Sequence, residues 1–191
     1  MKSVWLFVVG VVCGVMAMVT PRVMQHLHGV LHGHSDVGSP GDARVHTSEK
    51  FAFTANAPME KVAPLFGAEK ERVWAANWNP KFIHPLPATD EEGMVFTVAH
   101  GHMEAAWVNT EFDMKDGRIQ YVYMIPDTMI TVITLRLAPQ NKQTRVEVEY
   151  TRTALSADAD EHVRHMADGD RKAGADWDRW VNGYLAKDGS P

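Results

Sequence analysis

The 191-residue chain reads as an α+β protein: a curved antiparallel sheet of about six strands wrapped around one long C-terminal helix, with two short helices after strand 1. Two observations lead there. From Met94 to Ala154 apolar side chains recur with period 2, broken only by turn residues. From Ser156 onward they recur at steps of three and four, which is one face of a helix.

Ahead of that domain, Met1-Lys2-Ser3 is followed by the apolar run VWLFVVGVVCGVMAMV, Val4–Val19. At about 1.5 Å per residue this run covers roughly 24 Å, short of a hydrocarbon core of about 30 Å unless the chain through Met24 completes the span. Residues 1–24 are therefore expected to be an N-terminal membrane anchor or a cleaved export signal. Met16-Ala17-Met18 is a poor match to a small-residue cleavage site. Either reading places the folded part outside the cytoplasm, on the periplasmic or extracellular face, or secreted if the leader is cleaved. Cys13 lies within the run, and the folded part contains no cysteine.

Residues 25–43 read as a His/Gly-rich flexible linker. His26, His28, His32 and His34 are of a type and density that bind Zn, Cu or Ni, but no thiol or carboxylate joins them before Asp36. The alternative is a solvated tether that gains charge below about pH 6.5 and is drawn to anionic head groups. Residues 44–187 form the expected ligand-binding domain, and 188–191 a disordered tail.

Within the domain, His46–Ala55 is a strand with Phe51 and Phe53 on one side. Asn56-Ala57-Pro58 opens a helix over Met59–Phe66, stopped at Gly67, and a second helix covers about Glu69–Ala76. A loop with Pro85, Pro87 and Gly93 precedes the meander. Its strands are Met94–His100, Glu104–Met114, Arg118–Ile125, Thr128–Leu137 and Thr144–Ala154, with Asp116-Gly117 as a hairpin turn. Val146, Val148 and Tyr150 share the dry face of the last strand; Arg145, Glu147 and Glu149 share the wet one. The final helix carries Val163, Met166, Trp177, Trp180, Val181 and Leu185 on one stripe, and Gly169 and Gly174 weaken its middle. A cylinder cannot fill a curved palm, so a cavity is expected between helix and sheet.

Composition narrows the function. There are 19 Lys+Arg against 24 Asp+Glu, a net charge of −5, which gives no electrostatic case for nucleic acid. No CxxC, GxSxG, HExxH or glycine-rich phosphate loop occurs, and no cofactor is implied. The residues expected to reach the cavity are Glu71, Trp74, Trp78, Phe96, Val98, His100, Trp107, Tyr121, Tyr123, Met129, Thr131 and Trp177, together with Met124. Trp74 and Trp78, four apart, are expected to share a helix face. Either they pack the core or they offer indole N–H groups to a ligand. His100 shares parity with Phe96 and Val98. It is the candidate acid/base, the alternative being a satisfied structural histidine. Two ligands at His100 and His102 make a weak case for a metal. His162 and His165 are expected in a surface ion-pair cluster with Asp158 and Glu161.

The order of elements and the local text resemble the START-like superfamily, also called SRPBCC or helix-grip proteins, over about Val45 to Leu185. The text is FAFTANAPMEKVAPLF, ERVWAANWNP, GMVFTVAHG, AAWVNTEFD and TRVEVEYTRTALS. The chain is similar in particular to bacterial members of unassigned function with the patterns E-x-x-W-x-x-x-W-x-P and G-x-V-F-T-x-x-H. Here these are Glu71, Trp74, Trp78 and Pro80, then Gly93, Val95, Phe96, Thr97 and His100. The superfamily includes Bet v 1 relatives, polyketide cyclases and Hsp90-activator-like domains. The resemblance implies a helix-grip fold and binding of a small lipophilic ligand, here by a membrane-tethered or exported carrier or sensor. The alternatives are a cyclase- or dehydratase-like enzyme using His100, and a membrane-associated module for an unknown protein partner.

Overall fold

Alternation of side chains across a pleated backbone gives each strand a dry row and a wet row, and the dry rows must be covered. The computed structural model describes residues 43–101 and 103–188. It contains seven strands: β1 (His46–Ala55), β2 (Lys81–His84), β3 (Val95–His100), β4 (Met103–Asp113), β5 (Arg118–Ile125), β6 (Met129–Gln140) and β7 (Gln143–Ala154). They form one antiparallel sheet in the order β1-β7-β6-β5-β4-β3-β2. The first strand pairs with the last, with Phe53 opposite Val146, so β1 forms one edge of the sheet and β2 the other. The leader and the tether, with His26, His28, His32 and His34, lie outside the described residues, as does His102. Among the described residues no helix is long and apolar enough to cross a membrane, and no group of three or more His, Cys, Asp or Glu is placed to hold a metal ion.

The seventh strand is β2, which the sequence places in a loop. Four residues between Pro80 and Pro85 carry little period, and proline is tolerated there because β2 is an edge strand. Phe82 holds it down, packing on Phe96 at 5.9 Å beneath the Arg72 guanidinium. The β4–β5 turn needs glycine: Gly117 has φ 67°, and a Cβ there would meet the Leu137 carbonyl at 2.2 Å.

The two short helices after β1 are shorter than expected. Met59–Val62 (α1) gives way to 3₁₀ turns at Ala63–Phe66 and Lys70–Val73. Asn77, at φ 65°, ends any helical path before Trp78. Trp74 and Trp78 therefore do not share a helix face. The terminal helix is also two pieces, α2 (Asp160–Asp170) and α3 (Gly174–Asp188), divided at residues 171–173 between the two glycines. Gly174 permits close approach, since a Cβ there would touch Phe51 at 3.2 Å.

Wet-face charges pair across strands. Glu111 accepts from Arg118 at 2.7 Å and from Arg136 at 3.1 Å, and Lys50 meets Glu149 at 3.2 Å. Arg145 and Glu147 lie 3.5 Å apart on the same face. The dry face, covered by α2, α3 and segment 63–80, holds the aromatic core.

Candidate functional site

The segment between Phe66 and Trp78 is fixed to the sheet by aromatic hydrogen bonds. Trp74 Nε1 donates to the Leu65 carbonyl and Trp78 Nε1 to that of Ala68, both at 2.7 Å. The Tyr121 hydroxyl on β5 donates to the Phe66 carbonyl at 3.0 Å. These bonds consume the two indole N–H groups that the sequence offers to a ligand. Rings then interlock. Trp78 stands edge-on to Phe96 at 6.0 Å and to Trp107 at 5.5 Å, while Trp74 leans on Trp177 at 5.3 Å.

The expected hollow between helix and sheet is mostly filled by these rings. What remains is a cavity of about 20 Å³ lined by Phe66, Glu71, Trp78, Phe96, Trp107, Tyr121, Ile133, Leu135, Tyr150 and Trp177. That is room for about one water. Glu71, Trp78, Phe96, Trp107, Tyr121 and Trp177 were expected in this lining. Phe66, Ile133, Leu135 and Tyr150 were not, although the parity of β6 and β7 puts the last three on the dry face.

Glu71 is the one ionisable acid in the wall, carried by the turn at Lys70–Val73. Its backbone N–H donates to the Gly67 carbonyl at 2.8 Å. Among the described residues no Lys, Arg or His pairs with its carboxyl. Glu71 is half-buried; desolvation of its carboxyl, and then the negative charge of Asp90, push its pKa up to about 8. Asp90 accepts from the Glu69 N–H at 2.9 Å and sits over Gly67, where a Cβ would strike its Oδ2 at 2.2 Å. Its own pKa is raised, chiefly by burial. Burial also lifts the Tyr121 hydroxyl well above its usual range, with Glu71 and Asp90 adding to the effect.

Two further features of this region concern unmet polarity. Trp177 Nε1 and Trp107 Nε1 are buried with no protein acceptor, and both indoles line the cavity. The amide of Asn109, fully buried on β4 opposite Tyr121, lacks a hydrogen bond of normal geometry. A buried donor left unmet costs about 1–3 kcal/mol.

The remaining expected residues lie elsewhere. Trp74 is one layer behind the lining. Val98 and Met129 are buried in the core, and Met124 is 41% exposed on the outer face. His100, the expected acid/base, does not line the cavity; its ring meets that of His162 edge-on at 6.2 Å. His162 is therefore packed against the end of the sheet and not part of a surface ion-pair cluster. Tyr123 and Thr131 belong to a second polar cluster. There Arg152 makes a bidentate pair with Asp170 of α2, Nε to Oδ2 at 2.7 Å and Nη2 to Oδ1 at 2.8 Å. Its Nη1 donates to Thr131 Oγ1 at 3.0 Å and to the Tyr123 hydroxyl. The Thr131 hydroxyl also lies 3.9 Å from the Met129 sulfur. Arg152 shares parity with Val146, Val148 and Tyr150, the signal in the sequence that it is buried.

No family model matches the sequence, and no curated protein matches it. Solved structures do. Norcoclaurine synthase from Thalictrum flavum aligns at TM-score 0.59 and 10% identity, over 87% of this chain and 100% of that one. The hypothetical protein jhp0584 from Helicobacter pylori aligns at 0.55 and 13%, over 86% and 99%. Ara h 8.0201 aligns at 0.52 and 11%, over 75% and 99%. The described domain thus has the START-like, helix-grip fold of Bet v 1-type proteins, and the likeness is one of fold.

Proposed function

We propose that the domain binds a small lipophilic molecule between the centre of the sheet and α3, as a membrane-tethered or exported carrier or sensor. The observation that carries this is the cavity wall: aromatic rings, two indole N–H groups without acceptors, and one carboxyl without a cation. Ligand pockets run to about 300–1,000 Å³, so binding requires rings to move aside. Trp177 is the ring placed to do so. Unlike Trp74 and Trp78 it has no N–H tether, and it sits just beyond the break between α2 and α3. Apolar area removed from water, about 25 cal/mol per Å², supplies the drive. The apolar leader supports placement at a membrane or beyond it. Native mass spectrometry of full-length protein from its source membrane tests the reading. A retained lipophilic molecule is expected; a consistently empty protein that also ignores hydrophobic dyes would sink it.

One observation favours a second reading, an enzyme of the cyclase or dehydratase kind. Glu71, held near pH 8, is suited to proton transfer at neutral pH, and it replaces His100 as the acid/base because it faces the cavity. Turnover that survives Glu71→Gln would remove this reading.

A further inference from the structure

We infer that the outer face of the sheet is a docking site for a segment of this same chain, residues 22–34, an inference that goes beyond the lipophilic-ligand reading and does not depend on it. An antiparallel sheet with one covered face should keep its outward rows polar. Two adjacent rows are not polar. One runs Val95, Val108, Val122 and Val132 across β3 to β6, each directly opposite the next. The other runs Ala106, Met124 and Ile130 across β4 to β6. Val108 is 38% exposed, beside the exposed Met124, while α2, α3 and segment 63–80 take the opposite face. A contiguous apolar patch on a solvent face marks an interaction surface. This one spans three strand spacings, about 14 Å, across the sheet and about 7 Å along the strands.

Three occupants compete for such a patch, and the molecule favours one. A second copy needs a larger face, since a stable interface takes about 20–30 residues a side and these rows supply far fewer. A bilayer surface is drawn by unpaired cations, but the flanks are charge-paired: Lys81 meets Glu104, and Lys50 meets Glu149 at 3.2 Å. Segment 22–34, RVMQHLHGVLHGH, fits better. Val23, Met24, Leu27, Val30 and Leu31 recur at the spacing of one helix face, with His26, His28 and His32 off that face. As a helix, Val23 to Leu31 would measure about 13 Å, the width of the patch. So short a helix is marginal in water and needs a surface to pack on. The entry point agrees. The row of Ala106, Met124 and Ile130 continues through Thr153 to His46, the first residue of β1. The chain from Leu31 to His46 reaches at most about 50 Å, whereas β3 lies five strand spacings, about 24 Å, from β1. Only residues 20–22 separate Val23 from the apolar run Val4–Val19. Docking would therefore turn the outer face toward a membrane that holds that run, and the α3 side away from it.

The test uses full-length protein in phosphatidylcholine nanodiscs, read by hydrogen exchange. Amides of residues 24–31 should exchange at least about tenfold more slowly in the unaltered chain than in Val108→Asp. Equal exchange in the two overturns the docking site: fast in both means that the segment is undocked, and slow in both means that the bilayer or another surface covers it. Should Val108→Asp not fold, disulfide trapping decides. In a Cys13→Ser background, Leu27→Cys with Met124→Cys should close within one chain at least about tenfold faster than Leu27→Cys with Arg179→Cys. Arg179 is exposed on α3 and serves as the reference for chance encounter. Equal rates overturn the inference. So does a product that is chiefly a crosslinked dimer, which would assign the patch to a second copy. The native mass spectrum tests the lipophilic reading separately, so failure of the docking site leaves that reading standing.

Discussion

Asp170 and Glu71 each bring a carboxyl to the dry side of the same sheet, and they are opposite in how they are answered. Asp170 meets Arg152 through two hydrogen bonds, and the arginine's remaining nitrogen is taken by Thr131 and Tyr123. Arg152 is only 1% exposed, yet every one of its nitrogens is used. Tyr150 lies against its guanidinium at 4.8 Å. Glu71 has rings, a second acid and no cation. A satisfied buried network fixes geometry, whereas an acid beside a cavity with no cation marks a candidate site. The first region holds α2 to the sheet; the second is where the molecule has chemistry to spare.

The largest effect should come from breaking the satisfied side. Arg152→Met leaves Asp170 buried without its cation, and should cost about 3–5 kcal/mol in urea unfolding at pH 7. Replacing both partners, Arg152→Met with Asp170→Leu, should recover most of that loss. A single-variant cost below about 1 kcal/mol would mean that the pair does not hold α2.

Close behind is Trp177→Ala on the other side. It removes an indole stacked on Phe66 at 6.0 Å and edge-on to Phe51 at 5.4 Å, for a loss of about 3–5 kcal/mol. It should also open a hollow that binds benzene, detectable by NMR shift changes. Loss of stability with no benzene binding would show that α3 collapses onto the sheet, and would weaken the view of Trp177 as the movable ring.

The two regions were unequally legible in the sequence. Period-2 alternation from Met94 to Ala154 carries five of the seven strands, because one wet and one dry face force it. β2 is missed because four residues between prolines are held by Phe82 and Phe96, a contact across the chain. Glu71 and five of the aromatic residues expected around it are brought together, but Trp74, Val98, His100, Tyr123, Met129 and Thr131 are not. Parity says which face a side chain takes; it does not say how far along the strand the cavity lies. Arg152 was readable by parity, whereas its partner was not. Asp170 belongs to a helix whose break at residues 171–173 sets its direction.

A smaller effect follows from the pH dependence of the unsatisfied acid. Glu71 has a folded pKa of about 8, above the ordinary carboxylate value of 4.5. Between these values the folded state holds a proton that the unfolded state has released. Stability therefore falls as pH rises through this window. Glu71→Gln removes the penalty. It should match the unaltered protein at pH 4 and exceed it by about 1–3 kcal/mol at pH 8, read from urea midpoints. An equal difference at both pH values would mean that Glu71 is not the protonated group, and the contrast with Asp170 would lose its electrostatic basis.

The smallest effect lies at the edge of the satisfied region. His162 has its pKa lowered below 6.5 by burial first, and then by the positive charge of Arg152 and by His165. The folded state thus prefers the neutral imidazole, and stability is lost as pH falls from 6.5 toward the folded value, the reverse of the Glu71 slope. Because the ring is partly open to solvent, screening holds the effect to a few tenths of a kcal/mol. His162→Gln should flatten the acid limb of the stability profile between pH 6.5 and 5 and leave the limb above pH 7 unchanged. In the Arg152→Met background the same substitution should do less, since one source of the repulsion has gone. A His162 contribution that is undiminished there would show that burial alone lowers its pKa, and that the Arg152 charge is fully absorbed by Asp170.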